Sequence, residues 1–234
     1  IEAARQLSHN VGNTNAMFVH LTYVPIPNGV NEQKSKPTQM SVHDLNRLGI
    51  YPEIVIGRCE EYIKPHLKEK IGLFCNLPAD HVISGVDVQH VYECPLVYDA
   101  EGIPEILAKR LNIYAPPKLD QWSKLVESLK RNSVTPRKVL TVAICGKYMA
   151  LEDSYASVVE SIRHASAHLD LRSDIRWVDT EKVENGDISV ETALKGVDAV
   201  IVPVGFCSRG IEGMIETARY CRESGLPYFG ICLG

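Results

Sequence analysis

The sequence predicts an α/β protein with two doubly wound, mostly parallel sheets, and three observations carry that prediction. Apolar, β-branched runs alternate with segments of helical spacing. The alternation breaks once, in a proline-bracketed stretch at residues 116–137, and then restarts. Glycine-rich segments follow the ends of several apolar runs, where ligands of parallel sheets are held.

In the first half, Phe18 to Pro25 and Glu53 to Ile56 read as strands. Between them, Ser41 to Leu48 has helical spacing through Val42, Leu45 and Leu48, with Ser41 as its N-cap and Gly49 after it. Ile71 to Cys75, Val82 to Ile83 and Val91 to Tyr92 read as further short sheet segments, separated by Asn76, Pro78 and Gly85. A short helix is expected from Pro104 to Leu111. Ala115-Pro116-Pro117 and Thr135-Pro136 then bracket an amphipathic helix with Trp122, Leu125 and Leu129 on one face. This divides the chain into residues 1–115, a linker at 116–137 and residues 138–234.

In the second half, strands are expected at Val139 to Ile144, Ile175 to Val178, Ala199 to Val202 and Tyr228 to Ile231. Helices are expected at Tyr155 to Leu169, with Val158, Val159, Ile162 and Ala165 inward, and at Ile211 to Ser224. The chain opens at Ile1 without Met, inside a helical pattern, and stops at Gly234 just after an apolar strand. Both ends are therefore expected to be cut.

The 234 residues are 45% hydrophobic and 23% charged, enough apolar content for one large or two modest cores. A formal net charge of -4 disfavours nucleic acid and anionic membrane as partners. No apolar run approaches the ~20 residues that span a bilayer, and the first residues lack a signal-peptide pattern, so a cytoplasmic protein is expected. The seven cysteines, at 59, 75, 94, 145, 207, 221 and 232, have no C-x-x-C spacing and read as reduced thiols, mostly buried. His164 and His168 share a helix face without a third nearby ligand. They read as surface residues, and no metal site is predicted.

The strongest chemical signal is Gly230-Ile231-Cys232-Leu233-Gly234, a G-x-nucleophile-x-G form with cysteine as nucleophile. Small flanking residues suit a sharp strand-to-helix turn that exposes the sulfur. The amide of Leu233 is then aimed where a tetrahedral oxyanion forms. The plainer reading is a glycine-flanked, buried cysteine at a strand end. The second signal is Pro203 to Gly213, a loop with glycines at 205, 210 and 213, in which Gly205 is positioned to supply a second oxyanion donor. An ordinary glycine-rich strand-to-helix connection fits the same residues.

Taken together, these loops resemble the triad-type glutamine amidotransferases, and Arg209-Gly210-Ile211-Glu212-Gly213 narrows the resemblance to the CTP synthase family. Glu32-Gln33-Lys34-Ser35-Lys36-Pro37-Thr38-Gln39 is similar to that family's nucleotide-binding stretch. Lys70 to Cys75, Val82-Ile83 with Asp87-Val88, Gly146-Lys147-Tyr148 and Asp153-Ser154-Tyr155 agree in order and spacing. The resemblance implies a P-loop-type synthetase domain, present as its C-terminal part, joined to the N-terminal part of a class I glutamine amidotransferase domain.

It also implies roles. Lys34, Ser35, Lys36, Pro37, Thr38 and Gln39 would surround UTP, or CTP as feedback inhibitor. Lys70 would complete that site from its own or a neighbouring subunit, the lysines acting as movable charges on a turn. Arg58, Val86, Asp87 and Val88 match positions that hold ATP. Cys232 would be the nucleophile, with Gly205, Leu233 and Gly234 at the glutamine and oxyanion site. Arg209, Gly210 and Glu212 would belong to a loop responsive to GTP as activator, and Gly146 to Tyr148 would be structural with some effector contact.

The implied reaction is ATP-dependent amination of UTP to CTP with ammonia from glutamine, the last step of de novo pyrimidine nucleotide synthesis. The implied assembly is a homotetramer, a dimer of dimers. The P-loop and magnesium carboxylates would precede Ile1, and the His and Glu that activate the cysteine would follow Gly234. Two departures stand out. Val204 and Cys207 replace glycines of the family loop, and strain of about 1–3 kcal/mol is expected if either position needs positive φ. They motivate the alternative of a non-catalytic regulatory or filament-forming relative. Another triad amidotransferase is the remaining alternative.

Overall fold

The computed structural model spans residues 1–234 and describes all of them except Asn13, Tyr114, Pro136, Ala150, Leu151, Phe206 and Cys207, and the side chain of Glu152. The chain forms two compact units, Ile1–Val126 and Glu127–Gly234.

In the first unit, helix α1 (Glu2–Val11) precedes strand β1 (Val19–Tyr23), helix α2 (Lys36–Arg47), β2 (Ile54–Cys59), α3 (Pro65–Cys75) and β3 (Val82–Val86). Helices α4 (Cys94–Ala100) and α5 (Ile103–Leu111) follow, and α6 (Asp120–Val134) crosses the division between the units. The three strands are parallel in the order β1-β2-β3. Side-chain alternation along β2 assigns its faces. Val55 joins Val42, Leu67 and Ile71 of α2 and α3 in one core, whereas Ile54 and Ile56 join Tyr98, Ile103 and Ile106 in another. Trp122 Nε1 donates to the carbonyl of Tyr92 at 2.6 Å, which fixes the start of α6.

Three sequence expectations are corrected here. Helix α2 starts at Lys36, not Ser41, because Ser35 is its N-cap and Pro37 stands in the first turn, where a missing amide proton costs nothing. Ile71 to Cys75 is the second half of α3 and not a sheet segment. A five-residue apolar run has no readable period, and Pro65 at the helix start and Asn76 at φ 56 after its end are the actual signals. Val91 to Tyr92 lies in a 3₁₀ turn, Val91–Glu93, closed by a capping box between His90 and Glu93.

The second unit holds β4 (Val139–Gly146), α7 (Ala156–His168), β5 (Arg172–Asp179), α8 (Thr180–Glu184), α9 (Val190–Ala193), β6 (Ala199–Val202), α10 (Ile211–Ser224) and β7 (Tyr228–Gly230). Its four strands are parallel in the order β5-β4-β6-β7. Ala143 and Cys145 face Val183, Leu194, Met214 and Cys221. Ile144, between them, faces Tyr155 and Val159. Ala165, expected inward, is exposed. Among the described residues, no helix is long and apolar enough to cross a membrane.

Candidate functional site

In the first unit, the predicted nucleotide residues gather at the carboxyl ends of the three strands. Lys34 donates its amide to the carbonyl of Pro25 at 2.9 Å, just past β1, and Val24 donates to the carbonyl of Arg58 at 2.8 Å. Arg58, near the end of β2, reaches Asp87 just past β3, Nη2 to Oδ1 at 3.2 Å, and the Asp87 amide donates to the carbonyl of Cys59 at 2.9 Å. Val86 and Val88 flank Asp87 and are half-buried.

The stretch Lys34 to Gln39 divides by exposure. Lys36 and Pro37 are exposed and Lys34 and Gln39 are half-buried. Ser35 and Thr38 are buried. Ser35 Oγ accepts from Gln39 Nε2 at 3.1 Å, and Thr38 Oγ1 donates to the carbonyl of Tyr23. Their hydroxyls build the loop. Lys36 sits on the first turn of α2 rather than on a free turn, which sets it beside backbone amides that lack helical partners and attract anions.

Lys34 Nζ meets Glu32 Oε2 at 2.6 Å. That hydrogen bond and the lysine charge hold the exposed Glu32 carboxyl below its usual range, against a small burial effect, and Lys70 and Lys64 act on it in the same direction. Lys70, in the second turn of α3, thus lies within electrostatic reach of the Lys34 loop in the same chain.

In the second unit, Cys232 follows the end of β7 at φ 63, one of the described non-glycine residues at positive φ, and it is exposed. The plainer sequence reading expected a buried cysteine here, whereas Cys232 is exposed in this chain. Ile231 donates its amide to the carbonyl of Val202 at 2.9 Å, and Gly234 donates to the carbonyl of Ile231 at 3.1 Å, closing the turn. A Cβ at Gly230 would collide with the backbone of Gly234, and one at Gly234 with the carbonyl of Val202. Both small residues are required by the approach of backbone to backbone. Leu233 is exposed beside the sulfur-bearing residue.

Four described cysteines, at 59, 75, 145 and 221, are buried. Burial pushes the Cys59 and Cys75 thiols up to about 11 and the Cys145 thiol up to about 12, which leaves them protonated and inert near neutrality.

Gly205 lies three residues past Val202, where the sheet order turns from β4 to β6. A Cβ there would meet Lys147 Cε at 2.5 Å, so the 203–205 loop and the Gly146 to Tyr148 loop are in direct contact. Positive φ occurs among described non-glycine residues at Asn76, Asn112, Asp170 and Cys232, and Val204 is not among them. The strain anticipated at Val204 is absent, because that position does not use the left-handed region. Cys207 lies outside the described residues.

Arg209 pairs with Glu181, Nε to Oε1 at 2.8 Å, and the Glu212 amide donates to Glu184 Oε2 at 3.1 Å. A Cβ at Gly210 would meet Thr180 Oγ1 at 2.8 Å, and one at Gly213 would collide with the carbonyl of Thr180. The second and last positions of Arg209 to Gly213 thus seat the start of α10 on α8. Sequence reasoning missed Glu181 and Glu184 because a five-residue helix leaves no period. It also missed Gln33, whose partners lie 28 to 31 residues away. No group of three or more His, Cys, Asp and Glu among the described residues is placed to hold a metal ion.

Residues 1–113 match the family described as CTP synthase N-terminus, and residues 150–234 match the family described as glutamine amidotransferase class-I. The chain is 44% identical over 234 residues to a CTP synthase of Borreliella burgdorferi, covering 100% of this chain and 43% of that protein. It is 43% identical over 235 residues to those of Ruminiclostridium cellulolyticum and Thermococcus kodakarensis, again covering 100% of this chain and 43% of each relative. A solved structure of the Trypanosoma brucei CTPS glutaminase domain with bound acivicin aligns over 41% of this chain and 37% of its own, at 39% identity and a TM-score of 0.38. The chain thus spans about two fifths of the length of the curated relatives it matches.

Proposed function

This chain belongs to the CTP synthase family, and on that premise we propose that it serves the ATP-dependent amination of UTP to CTP with ammonia released from glutamine. The single observation that carries the reading is the exposed Cys232, held at φ 63 between two glycines that have no room for a side chain. A thiolate there attacks the glutamine carboxamide carbon. The amides of Leu233 and Gly205 receive the developing oxyanion; as it collapses, the C–N bond breaks and the nitrogen leaves as ammonia with the proton that the thiol gave up, leaving the acyl-enzyme.

In the first unit, ATP phosphorylates O4 of UTP, and ammonia then displaces the phosphate to give CTP. The reading gives Lys34, Lys36 and Lys70 the phosphates of UTP, with the N-terminal amides of α2 behind Lys36. CTP inhibits by overlapping the same site. Arg58, Asp87 and the neighbouring strand end at Val86 and Val88 hold ATP, which requires the Arg58–Asp87 pair to open or to reorient around the base. The buried hydroxyls of Ser35 and Thr38 act by shaping the loop, and Pro37 and Gln39 complete its surface. The described residues form no magnesium centre, so the reading places those ligands outside them.

GTP acts through Arg209, Gly210 and Glu212, and the Arg209–Glu181 ion pair is the contact it has to exchange. The assembly is a homotetramer in the cytoplasm, and both sheets are doubly wound parts of larger domains. The non-catalytic alternative loses one of its two motives, since Val204 is unstrained.

The test is Cys232→Ala in the full-length protein. CTP formation from glutamine is abolished, while formation from ammonium salts at high pH stays near the wild-type rate, because the thiol serves only ammonia release. Retained glutamine-dependent synthesis would sink the assignment of Cys232.

A further inference from the structure

The loop bearing Lys34 and Lys36 is fixed by a side chain to which no nucleotide role is given above. Gln33 is only 4% exposed, and its amide is committed to a distant segment. Nε2 donates to the carbonyls of Glu61 at 2.8 Å and Tyr62 at 3.1 Å, and Oε1 accepts the Lys64 amide at 3.1 Å. Those groups belong to the turn that leads into α3, and Lys64 is the N-cap residue of that helix. One neighbour of Gln33 in sequence is therefore Lys34, and its partners across space begin the helix that carries Lys70.

We infer that Gln33 is a positioning residue for the nucleotide-phosphate site proposed above, locking the loop that bears Lys34 to the start of α3, the helix that carries Lys70. The inference rests on that reading of the site.

The physical reason is preorganisation. Lysine side chains carry large rotamer entropy, so a protein that binds a polyphosphate with them gains most by fixing their backbones. Residues 24–35 lie between β1 and α2 and make no strand or helix ladder of their own. Their attachment comes from isolated bonds such as Val24 to Arg58, 2.8 Å, and from the three bonds of Gln33. The Gln33 amide is itself buried, so these three bonds satisfy polar atoms that would be costly to leave unpaired. Glu32 pairs with Lys34 at 2.6 Å, so a bound phosphate would have to exchange with that carboxylate.

The experiment uses the full-length enzyme with Gln33→Leu, which keeps the volume and removes all three bonds. Gln33→Glu is the companion; it retains the acceptor for the Lys64 amide but turns a carboxylate toward the carbonyls of Glu61 and Tyr62. Both variants should raise KM for UTP by about tenfold or more and weaken CTP inhibition in parallel, while KM for ATP and for glutamine changes by less than about twofold. In Gln33→Glu, lowering the pH protonates the buried carboxyl, restores a donor and brings KM for UTP back toward wild type.

An unchanged KM for UTP in folded variants overturns the inference, as does an equal rise in KM for UTP and ATP. Should Gln33→Leu fail to fold, the pH profile of Gln33→Glu decides alone, and a flat profile overturns it. Lys36→Ala separates this failure from that of the site itself. If Lys36→Ala raises KM for UTP and Gln33→Leu does not, only the positioning role falls; if neither does, the nucleotide reading falls with it.

Discussion

Thr38 Oγ1 donates to the carbonyl oxygen of Tyr23 at 2.9 Å, tying the first turn of α2 to the end of β1, and Thr38 is fully buried. A hydroxyl so placed organises the Lys34 to Gln39 stretch from beneath. Thr38→Val keeps the shape but leaves that carbonyl without this donor, at a cost of about 1–2 kcal/mol. Thermal unfolding of the full-length enzyme should show the loss, with KM for UTP moved less than about threefold. A large rise in KM without a loss of stability would return Thr38 to direct nucleotide contact.

The turn at Gly230 to Gly234, the elbow that carries Cys232, makes a second prediction. A Cβ at Gly234 would collide with the carbonyl of Val202, and no rotamer change relieves a clash between backbones. Gly234→Ala should therefore push β7 away from β6, cost about 1–3 kcal/mol and abolish glutamine-dependent CTP synthesis while sparing synthesis from ammonium. Gly196→Ala is the control. That glycine sits at φ 74 with nothing within 4 Å of the added carbon, so it should cost only backbone strain, about 1 kcal/mol, and leave glutamine use intact. Equal activity in both variants would mean that the elbow tolerates a shift the geometry forbids.

The parallel α/β character of both units was legible because strands buried on both faces read as apolar runs. Val142 to Cys145 is such a run, with Ala143 and Cys145 in one core and Ile144 in the other. The elbow was legible for a different reason. Gly230 is demanded within five residues of chain, by the backbone of Gly234, and such local demands survive in sequence; Gly234 is demanded by the distant carbonyl of Val202 and was legible through the motif alone. Helix α2 was misplaced because Ser41 is as good a cap by type as Ser35 and stands nearer the apolar positions, whereas the start at Lys36 is marked by Pro37 in the first turn and tied down by the tertiary bond from Thr38 to Tyr23. Ile71 to Cys75 was misread because the face that α3 buries, Leu67, Ile71 and Cys75, begins four residues before the apolar run. Gln33 was quoted within its motif and given no role, since a glutamine in a polar loop looks solvated until the turn at Glu61–Lys64 is brought against it.

The last prediction concerns acid. Lys68 on α3 donates to Glu101 Oε2 at 2.5 Å, and the amide of Ser84 on β3 donates to the same oxygen at 2.7 Å, with side chains only 21% and 14% exposed. Burial alone would raise the Glu101 carboxyl, but the hydrogen bonds from Lys68 and Ser84, with the lysine charge, outweigh it and hold the group below its ordinary value of 4.5. A carboxyl lowered in the folded state contributes stability that is fully present above the unfolded value and is lost as pH falls through the folded one. Glu101→Gln keeps an acceptor for the Ser84 amide but removes the charge facing Lys68, so at pH about 7 it should be less stable than wild type by about 1–3 kcal/mol. As pH drops below about 4.5, wild type takes up the proton and the gap should close. Thermal midpoints of both proteins across that range measure it; a gap that stays constant would show that packing at Glu101, and not its charge, holds α3 to β3.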